Sequence, residues 1–428
     1  MAKKNNDIKN PWSPQDEGDH YPIMREWWTI ETLFKTLEDN RKWNLMIIMS
    51  YNMEKPSCFF QYVLFDITSK KCIIRKDIDD KIEKLTHKKN KIDLQYGKTS
   101  IKGLFPSYDI HIEDKDQDFT ADMKYKADSL PHWIAQGITN GKIPFGLNYY
   151  KYGYIPNCDL NGIINLKDKS YTIKGKGYLE HVWGEWSYQK SFQKVSQLNK
   201  TITTYINLAK WWISQHKPCI PKRLAFTTEN NIFGYDWCWG IFDNNWSLFY
   251  GNIMFWLSEG PVFGVLSITP DGKNYWDFCN IKFHYNKLAY IKDYDIYFPS
   301  DFELTGKLDD KKIHVRFWLT TKNYDYIDPF ENNGFYKAFI LSEMPGQMEG
   351  DYTDNEKIVK LKGDCKMMPS RQPSALGHNS LQLEFIKPPK GVGIDIDFNS
   401  HFLKKKINAK IHFAPRPHLG FHMKKLRK

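Results

Sequence analysis

The residues most capable of chemistry lie in three aromatic-rich segments, at positions 16–28, 175–186 and 234–252. Each segment sets carboxylates among indole and phenol rings, and the first two add a histidine, His20 and His181. A carboxylic acid that burial keeps protonated can protonate a carbon–carbon double bond, and aromatic faces stabilise the resulting cation. The segments therefore indicate cofactor-free proton transfer on an unsaturated molecule. The simpler alternative is that the rings fill a core while the acids and histidines fix loops.

Strand pleating sorts these residues onto faces, because side chains two apart on a strand point the same way. His181 and Trp183 then share one face, with Glu180 on the other. In the third segment the rule gives Tyr235, Trp237 and Trp239 on one face, Asp236 and Cys238 on the other, and Tyr250 together with Asn252. We expect Trp183 and Tyr250 to line one enclosed cavity with the aromatic walls that small-ligand pockets usually have.

The elements that must position these residues read mainly as short strands. Aromatic residues make up 16% of the chain, and they favour pleated, half-buried surfaces. Positions 58–67 form a strand-like segment, positions 312–319 alternate as strands do, and turn residues separate many such pieces. This spacing predicts an all-β protein of antiparallel barrels, since no regular alternation of strand and helix supports a nucleotide-binding α/β sheet.

One amphipathic helix interrupts this pattern. Apolar residues recur at spacings of three and four between positions 195 and 213, which predicts a helical insertion at about 190–216. Such a helix either packs on the outside or mouth of a barrel, or forms a lid or membrane-facing element that delivers an apolar ligand. Fresh strand patterns begin after positions 258–261, so we divide the chain into domains at 1–262 and 263–428.

Common cofactor and metal signatures are missing from the sequence. Its seven cysteines are scattered, and none forms a C-x-x-C pair. No G-x-G-x-x-G follows a strand, and the H-E-x-x-H and G-x-S-x-G motifs are absent. We therefore expect neither a cofactor nor a metal ion.

Positive charge is concentrated at the carboxyl end. Residues 401–428 contain nine lysines or arginines and no acid, and they supply much of the formal charge of +11. The simplest interpretation is a solvated strand face with a basic end; the alternative is peripheral contact with membrane phosphates. Aromatic residues do not accompany the run closely enough to stack on bases, so no specific nucleic acid is expected. Without a signal core or a run of about 18 apolar residues, the sequence predicts a cytoplasmic protein, either free or membrane-associated.

In their order and wording the three segments resemble the lipocalin-like family that includes carotenoid 1,2-hydratase (hydroxyneurosporene synthase) and the AttH-like proteins. In that family an H-x-x-x-x-x-E-W-W-like segment precedes G-x-G-Y-x-[DE]-x-x-W-G and then G-[WY]-D-W. The matching residues are His20, Glu26, Trp27 and Trp28, then Gly175, Gly177, Tyr178, Glu180, Trp183 and Gly184, and then Gly234, Tyr235, Asp236 and Trp237.

This resemblance implies two lipocalin-like barrels, with a ligand site in or beside the amino-terminal one. In the hydratases a His-x-Trp pair and a later Tyr-x-Asp pair are held to be catalytic, the Asp as proton donor. His181 and Trp183 match the first pair. Tyr250 and Asn252 stand at the second, so Asp236 or Glu180 would have to replace the acid. The residues expected to line the ligand site are Trp27, Trp28, Tyr178, Glu180, Tyr235, Trp237 and Trp239.

Two functions remain open at this point. In the first, the protein binds a hydrophobic lipid- or isoprenoid-like molecule in an aromatic-lined barrel cavity, which suits the amide at Asn252. In the second, it is a cofactor-independent, acid-catalysed hydratase, isomerase or cyclase of an unsaturated isoprenoid-like substrate.

Overall fold

The computed structural model describes residues 12–145, 147–186, 198–215, 223–227, 234–252, 264–278, 280–322, 324, 326–330, 339–371, 377–387, 391–414 and 417–425. The chain forms two compact units. The first comprises Met1–Trp211, Trp239–Leu248 and Ser267–Asp277, and the second Trp212–Cys238, Phe249–Leu266 and Phe278–Lys428. The domain boundary expected between positions 262 and 263 falls outside the described residues.

Among the described residues, thirteen antiparallel strands build the sheet of the first unit. They are β1 (Arg25–Thr36), β2 (Lys42–Asn52), β3 (Ser57–Asp66), β4 (Lys71–Lys81), β5 (Leu85–Thr86), β6 (Ile92–Tyr96), β7 (Thr99–Leu104), β8 (Ser107–Asp114), β9 (Phe119–Ala127), β10 (His132–Trp133), β11 (Lys142–Phe145), β12 (Asn148–Leu166) and β13 (Lys169–Gly184). Single turns of 3₁₀ helix lie at Pro14–Asp16 and Ile82–Lys84.

This sheet curls into a nearly closed barrel. Its order is β4-β3-β2-β1-β13-β12-β9-β8-β7-β6-β5, with β10 and β11 paired to β12. The two ends of this path, β4 and β5, are joined by the three-residue turn Ile82–Lys84. A connection that short spans at most about 14 Å, so the last strand must return to the first.

The barrel interior is a hydrophobic core because its strands alternate between the two faces. In β9 the buried residues are Phe119, Ala121, Met123 and Tyr125, two positions apart. Every strand except β10 and β11 contributes to this core. Side chains therefore occupy most of the interior, as the packed-core alternative expects.

The glycines that precede Tyr178 are explained by close packing. A Cβ atom on Gly175 would lie 2.2 Å from the carbonyl oxygen of Leu33 on β1. On Gly177 it would lie 2.3 Å from the ring of Tyr125, which is buried and donates a hydrogen bond to the carbonyl of Glu31. The first neighbour is backbone and the second is a buried, hydrogen-bonded ring. These glycines therefore allow β13 to pack closely against the rest of the barrel.

Replacing Gly177 by alanine should lower the free energy of unfolding by about 1–3 kcal/mol, because the added methyl group overpacks the buried ring of Tyr125. Denaturant unfolding checks this value. The matched control, Lys174→Ala, removes an exposed side chain from the same strand and should change stability by less than about 0.5 kcal/mol. Equal stabilities of the two variants would contradict the packing account.

The described residues that follow β13 form one α-helix and two further antiparallel sheets. They are α1 (Leu198–Gln215), β14 (Arg223–Thr227), β15 (Tyr235–Phe242), β16 (Ser247–Asn252), β17 (Gly264–Thr269), β18 (Trp276–Phe278), β19 (Asn280–Ile291), β20 (Ile296–Leu308), β21 (Lys311–Leu319), β22 (Asp328–Phe330), β23 (Phe339–Leu341), β24 (Met344–Asp354), β25 (Lys357–Arg371), β26 (Asn379–Ile386), β27 (Val392–Ser400), β28 (Lys405–Ala414) and β29 (His418–Lys425).

An eleven-stranded sheet contains β18-β17-β16-β15-β25-β24-β21-β20-β19, with β22 and β23 attached beside β25. A five-stranded half-barrel has the order β14-β26-β27-β28-β29. The divisions between the two units fall within α1, β15, β16, β17 and β18. The predicted all-β, barrel-based architecture is thus confirmed, including its single inserted helix.

Helix α1 covers most of the predicted apolar stripe, although Val195 lies outside the described residues. Among the helix side chains that the structure describes, Thr201 and Thr204 are buried, whereas Ile202, Tyr205 and Ile206 are 44–45% exposed. The helix therefore forms where the periodicity predicts it, and these three apolar side chains are partly exposed. Among the described residues, no helix combines the length and apolar character needed to cross a bilayer.

Candidate functional site

Strands β1 and β13 carry two buried carboxylates on opposite faces of the barrel wall. Glu26 lies opposite Trp183, and Thr29 lies opposite Glu180. Because strand faces alternate, Glu26 shares the core side with His181 and Trp183, while Glu180 shares the outer side with Trp27. We call His20, Glu26, Tyr51, His181 and Trp183 the inner centre. Trp27, Tyr152, Tyr178, Glu180 and Trp186 form the outer centre.

The inner centre is organised around the fully buried carboxylate of Glu26. Its Oε1 lies 2.8 Å from Nδ1 of His20 and 2.8 Å from Nε2 of His181. The backbone N–H of His20 donates to both oxygens, and the hydroxyl of Tyr51 donates to Oε2 at 2.5 Å. Four donor groups therefore converge on one carboxylate.

The hydrogen bonds of His181 fix the position of a proton. Its Nδ1 lies 2.7 Å from the carbonyl oxygen of Asp16, which can only accept, so Nδ1 carries a hydrogen. Without a second proton, Nε2 and Oε1 of Glu26 would face each other with lone pairs only, which is repulsive. The geometry therefore places a proton between these two atoms. Burial alone would raise the pKa of Glu26, but hydrogen bonds from His181 and His20 lower it to about 2. Burial lowers the pKa of His181, and the hydrogen bond and charge of Glu26 oppose this only in part.

Aromatic rings pack around this hydrogen-bonded pair. Trp28 stacks on His181 with ring centroids 4.6 Å apart, and His20 stacks on Trp183 at 4.0 Å. Nζ of Lys151 lies 3.6 Å from the ring centroid of Trp133 and 5.5 Å from that of Trp183. Since the side chain of His20 is 25% exposed and Glu26 and His181 are sealed, His20 connects the inner centre to solvent.

Three side chains of the inner centre offer atoms that metal ions bind, namely His20, Glu26 and His181, and these atoms lie within 4.8 Å of one another. Their closest contacts fit hydrogen bonds better. Bonds of about 2.0 Å to a tetrahedral zinc ion hold ligand atoms about 3.3 Å apart, which exceeds the 2.8 Å contacts present. A metal ion would have to spread the three side chains, and the expected absence of a metal stays a prediction.

The outer centre holds a second carboxyl group, that of Glu180, inside a shell of aromatic donors. Nε1 of Trp27 donates to Oε1 at 2.7 Å, and the hydroxyl of Tyr178 donates to Oε2 at 2.8 Å. The hydroxyl of Tyr152 also bonds to Oε2 and lies 3.0 Å from that of Tyr178. Burial raises the pKa of Glu180, and these three hydrogen bonds only partly oppose it. Glu180 is therefore a buried acid whose surroundings favour the protonated form.

More rings extend the outer centre along the barrel wall. Trp186 meets Trp27 edge to face with centroids 5.2 Å apart, and Trp239 lies 5.6 Å from Tyr178. The indole N–H of Trp239 donates to the carbonyl of Pro156 at 2.8 Å, which fixes that ring. Fixed ring faces around a proton donor can stabilise a carbocation that forms beside them.

The predicted residues of the second unit form a different arrangement. Asp236 makes a buried ion pair with Arg371 at 2.9 Å and accepts a hydrogen bond from the hydroxyl of Tyr285. Oδ1 of Asn252 accepts from the backbone N–H of Asp236, and Nδ2 of Asn252 donates to the hydroxyl of Tyr250 at 2.7 Å. The carboxylate of Asp236 is thus matched by a cation.

The structure distributes the predicted site residues over three places. The inner centre takes His181 and Trp183, with Trp28 beside them; the outer centre takes Trp27, Tyr178 and Glu180, with Trp239 beside them; and the second unit takes Tyr235, Asp236, Trp237, Tyr250 and Asn252. Trp183 and Tyr250 belong to different units, so one cavity shared by both stays a prediction.

Sequence reasoning missed the partners that complete the two centres. Tyr51, Lys151 and Tyr152 lie outside the three segments, and the pairing of β1, β2, β12 and β13 brings them in. Glu26 and His20 were visible only as parts of a motif. The spacing of His20 and Glu26 gave no sign that the two side chains touch.

Comparisons with known proteins identify solved structures of similar architecture. No family model matches the sequence, and no curated protein matches it. The chain is similar to the crystal structure of a putative AttH from Nitrosomonas europaea, with 14% identity, a TM-score of 0.56, and coverage of 83% of this chain and 95% of that one. The lipocalin-like fold of the AttH-like proteins is the fold of this chain.

A second structure supports the same conclusion about this AttH-like fold. Kievitone hydratase from Nectria haematococca is similar, with 11% identity, a TM-score of 0.53, and coverage of 85% of this chain and 98% of that one. The resemblance drawn from the three sequence segments is therefore confirmed at the level of the fold. At these identities the comparison does not extend to individual side chains.

Proposed function

We propose that the first unit binds an unsaturated, largely apolar small molecule of isoprenoid type at the outer centre, where Glu180 transfers a proton to its double bond. The observation that carries this proposal is the buried carboxyl of Glu180, held by Trp27, Tyr152 and Tyr178. One of the two structures of similar fold is named a hydratase, and hydration is one outcome of such a transfer.

The reaction balances without a cofactor. The O–H bond of Glu180 breaks as a C–H bond forms on one alkene carbon, which leaves a cation on the other carbon and a carboxylate on Glu180. In hydration, water then adds to the cation and returns a proton to Glu180. In isomerisation, a neighbouring C–H bond breaks instead and its proton goes to Glu180.

The three donors around Glu180 have a defined part in this cycle. They bind the carboxylate more strongly than the neutral acid, because a hydrogen bond to an ionised acceptor is stronger. Burial keeps the proton on Glu180 at rest, and the donors stabilise the anion formed when it leaves. Nearby rings such as Trp186 and Trp239 stabilise the developing carbocation.

Glu180→Gln should leave ligand binding almost unchanged and lower proton transfer about a hundredfold or more. The probe is farnesol, with its fully saturated analogue as the control ligand. Tryptophan fluorescence measures binding, and mass spectrometry measures deuterium incorporation at alkene carbons in heavy water. The control variant Glu113→Gln alters a partly exposed partner of Lys98 and should keep both properties. Full exchange activity in Glu180→Gln would refute the assigned acid.

Tyr178→Phe provides a sharper readout of the same site. It keeps the ring but removes one of the hydrogen bonds that lower the pKa of Glu180. The pKa should therefore rise further, and the alkaline limb of the exchange rate should move to higher pH. An unchanged pH profile would show that Glu180 does not supply the proton.

Binding without turnover is the second candidate function. Asn252 favours it, because this amide stands where the hydratases of the resembled family have their acid. The side chain of Asn252 donates a hydrogen bond to the hydroxyl of Tyr250. This function predicts that farnesol binds equally to the wild type and to Glu180→Gln, with no deuterium incorporated by either. Exchange above background in the wild type would exclude it.

A further inference from the structure

The end of the five-stranded half-barrel exposes large apolar side chains next to lysines. Phe402 and Leu403, in the turn between β27 and β28, are 62% and 51% exposed. Met423 on β29 is 51% exposed and pairs with Ile407. Lys405 pairs with Lys425, which places this turn beside the end of β29. We define the C-terminal tip as Phe402, Leu403, Lys404, Lys405, Met423, Lys424 and Lys425.

The apolar surface continues from the tip along one face of β29. Leu419 and Phe421 are four and two positions before Met423, so all three share a face, and Leu419 and Phe421 are 78% and 68% exposed. Isolated exposed apolar residues are ordinary, but a contiguous patch on one face marks an interaction surface.

The charge of the tip differs from that of the middle of the sheet. Lys406 and Lys410 are matched by Asp397 and Asp395 on β27, and His412 also contacts Asp395. Within the described part of the chain, no carboxylate pairs with the exposed Lys404, Lys405, Lys424 or Lys425. Asp295 contacts His401, the residue before Phe402. The tip therefore combines exposed apolar groups with unneutralised cations.

We propose that the C-terminal tip docks on the surface of an anionic phospholipid membrane. Phe402, Leu403 and Met423 enter the boundary between headgroups and acyl chains, while the lysines contact lipid phosphates. Apolar groups flanked by lysines are the composition that interfacial binding requires, and each lysine near an anionic surface adds attraction. This docking is independent of the chemistry proposed for Glu180.

A second copy of the chain fits the tip less well. Strand β29 is an edge strand within the described residues, so another strand could pair with it. Association through the tip would, however, bring together two sets of four lysines with no acid between them. An anionic bilayer covers the apolar groups and neutralises the same charges.

Co-sedimentation of the full chain with vesicles tests the proposal. The probes are vesicles of phosphatidylcholine alone and vesicles that also contain phosphatidylserine. We expect binding to the anionic vesicles that weakens as salt increases. The double variant Phe402→Ser/Leu403→Ser should bind these vesicles at least about tenfold more weakly. The affinity of Lys424→Glu/Lys425→Glu for anionic vesicles should be at least about tenfold lower than that of the wild type.

The matched control is Ile358→Ser in the same unit. Ile358 is 62% exposed and stands between lysines on β25, so it has the composition of the tip but lies elsewhere. It should bind anionic vesicles as the wild type does. Failure of the wild type to bind them, or equal binding by Phe402→Ser/Leu403→Ser, would overturn the proposal. So would a dimer seen by light scattering that this double variant abolishes while vesicles stay unbound.

Discussion

Replacing Glu26 by alanine should lower the free energy of unfolding by about 3–5 kcal/mol, because it leaves a buried imidazole and a buried tyrosine hydroxyl without their acceptor. His181 and Tyr51 both direct hydrogens at this carboxylate, and neither has access to solvent. Denaturant unfolding measures the loss. Glu113→Ala, which removes a partly exposed partner of Lys98, should cost far less stability, because a surface ion pair contributes little. Similar values for the two variants would contradict the arrangement of the inner centre.

The same carboxylate predicts a pH dependence of stability. The pKa of Glu26 is about 2 in the folded chain against an ordinary 4.5, so the folded state favours the ionised form. Its contribution, about 3 kcal/mol, is fully present above pH 4.5 and is lost as the pH falls towards 2. The gap in stability between wild type and Glu26→Gln should narrow over this range. A gap independent of pH would show that Glu26 is not held ionised.

Strand periodicity was enough to predict much of the fold and the faces of the site residues. The alternation around His181 and Trp183 places Glu180 on the opposite face, and the pairing with β1 shows this arrangement. The same rule separates Trp27 from Trp28, although both had been expected to line one ligand site. Adjacent residues of a strand point to opposite sides of the wall, so those two indoles serve different centres.

The partners of these residues could not be predicted because strand register is a long-range property. Glu26 lies opposite Tyr51 on β2 and opposite Trp183 on β13, and a shift of one residue in either pairing would separate them. Periodicity also shows which side chains of α1 share a face, but not what covers that face. The half-exposed Ile202, Tyr205 and Ile206 illustrate this limit.

Asp236 looks like a proton donor in the sequence because no cationic residue lies near it along the chain. Alone in an aromatic segment, it was a candidate acid in place of the residue at position 252. The structure pairs it with Arg371, far along the chain on β25. Arg371 also donates hydrogen bonds to the carbonyls of Tyr235 on β15 and of Ser370 on its own strand, so its guanidinium is fixed in place. A carboxylate held this way suits a structural role better than proton donation.

Arg371→Met should therefore lower the free energy of unfolding by about 3–5 kcal/mol, because it leaves the carboxylate of Asp236 buried with no cation. Denaturant unfolding, followed by far-ultraviolet circular dichroism, measures the loss. Arg316→Met is the matched control, since Arg316 bonds to Asp301 through two nitrogens but is 43% exposed. That surface pair should contribute less than about 1 kcal/mol.

The double variant Asp236→Asn/Arg371→Met separates an ion pair from two independent residues. Removing Arg371 alone leaves a buried charge, whereas removing both charges together leaves none, so the double variant should lose less stability than the sum of the two single variants. Asp236→Asn should also retain deuterium exchange on farnesol under conditions where the variant is folded. Strict additivity of the stability changes, with exchange lost in folded Asp236→Asn, would return Asp236 to the role of catalytic acid and remove Glu180 from it.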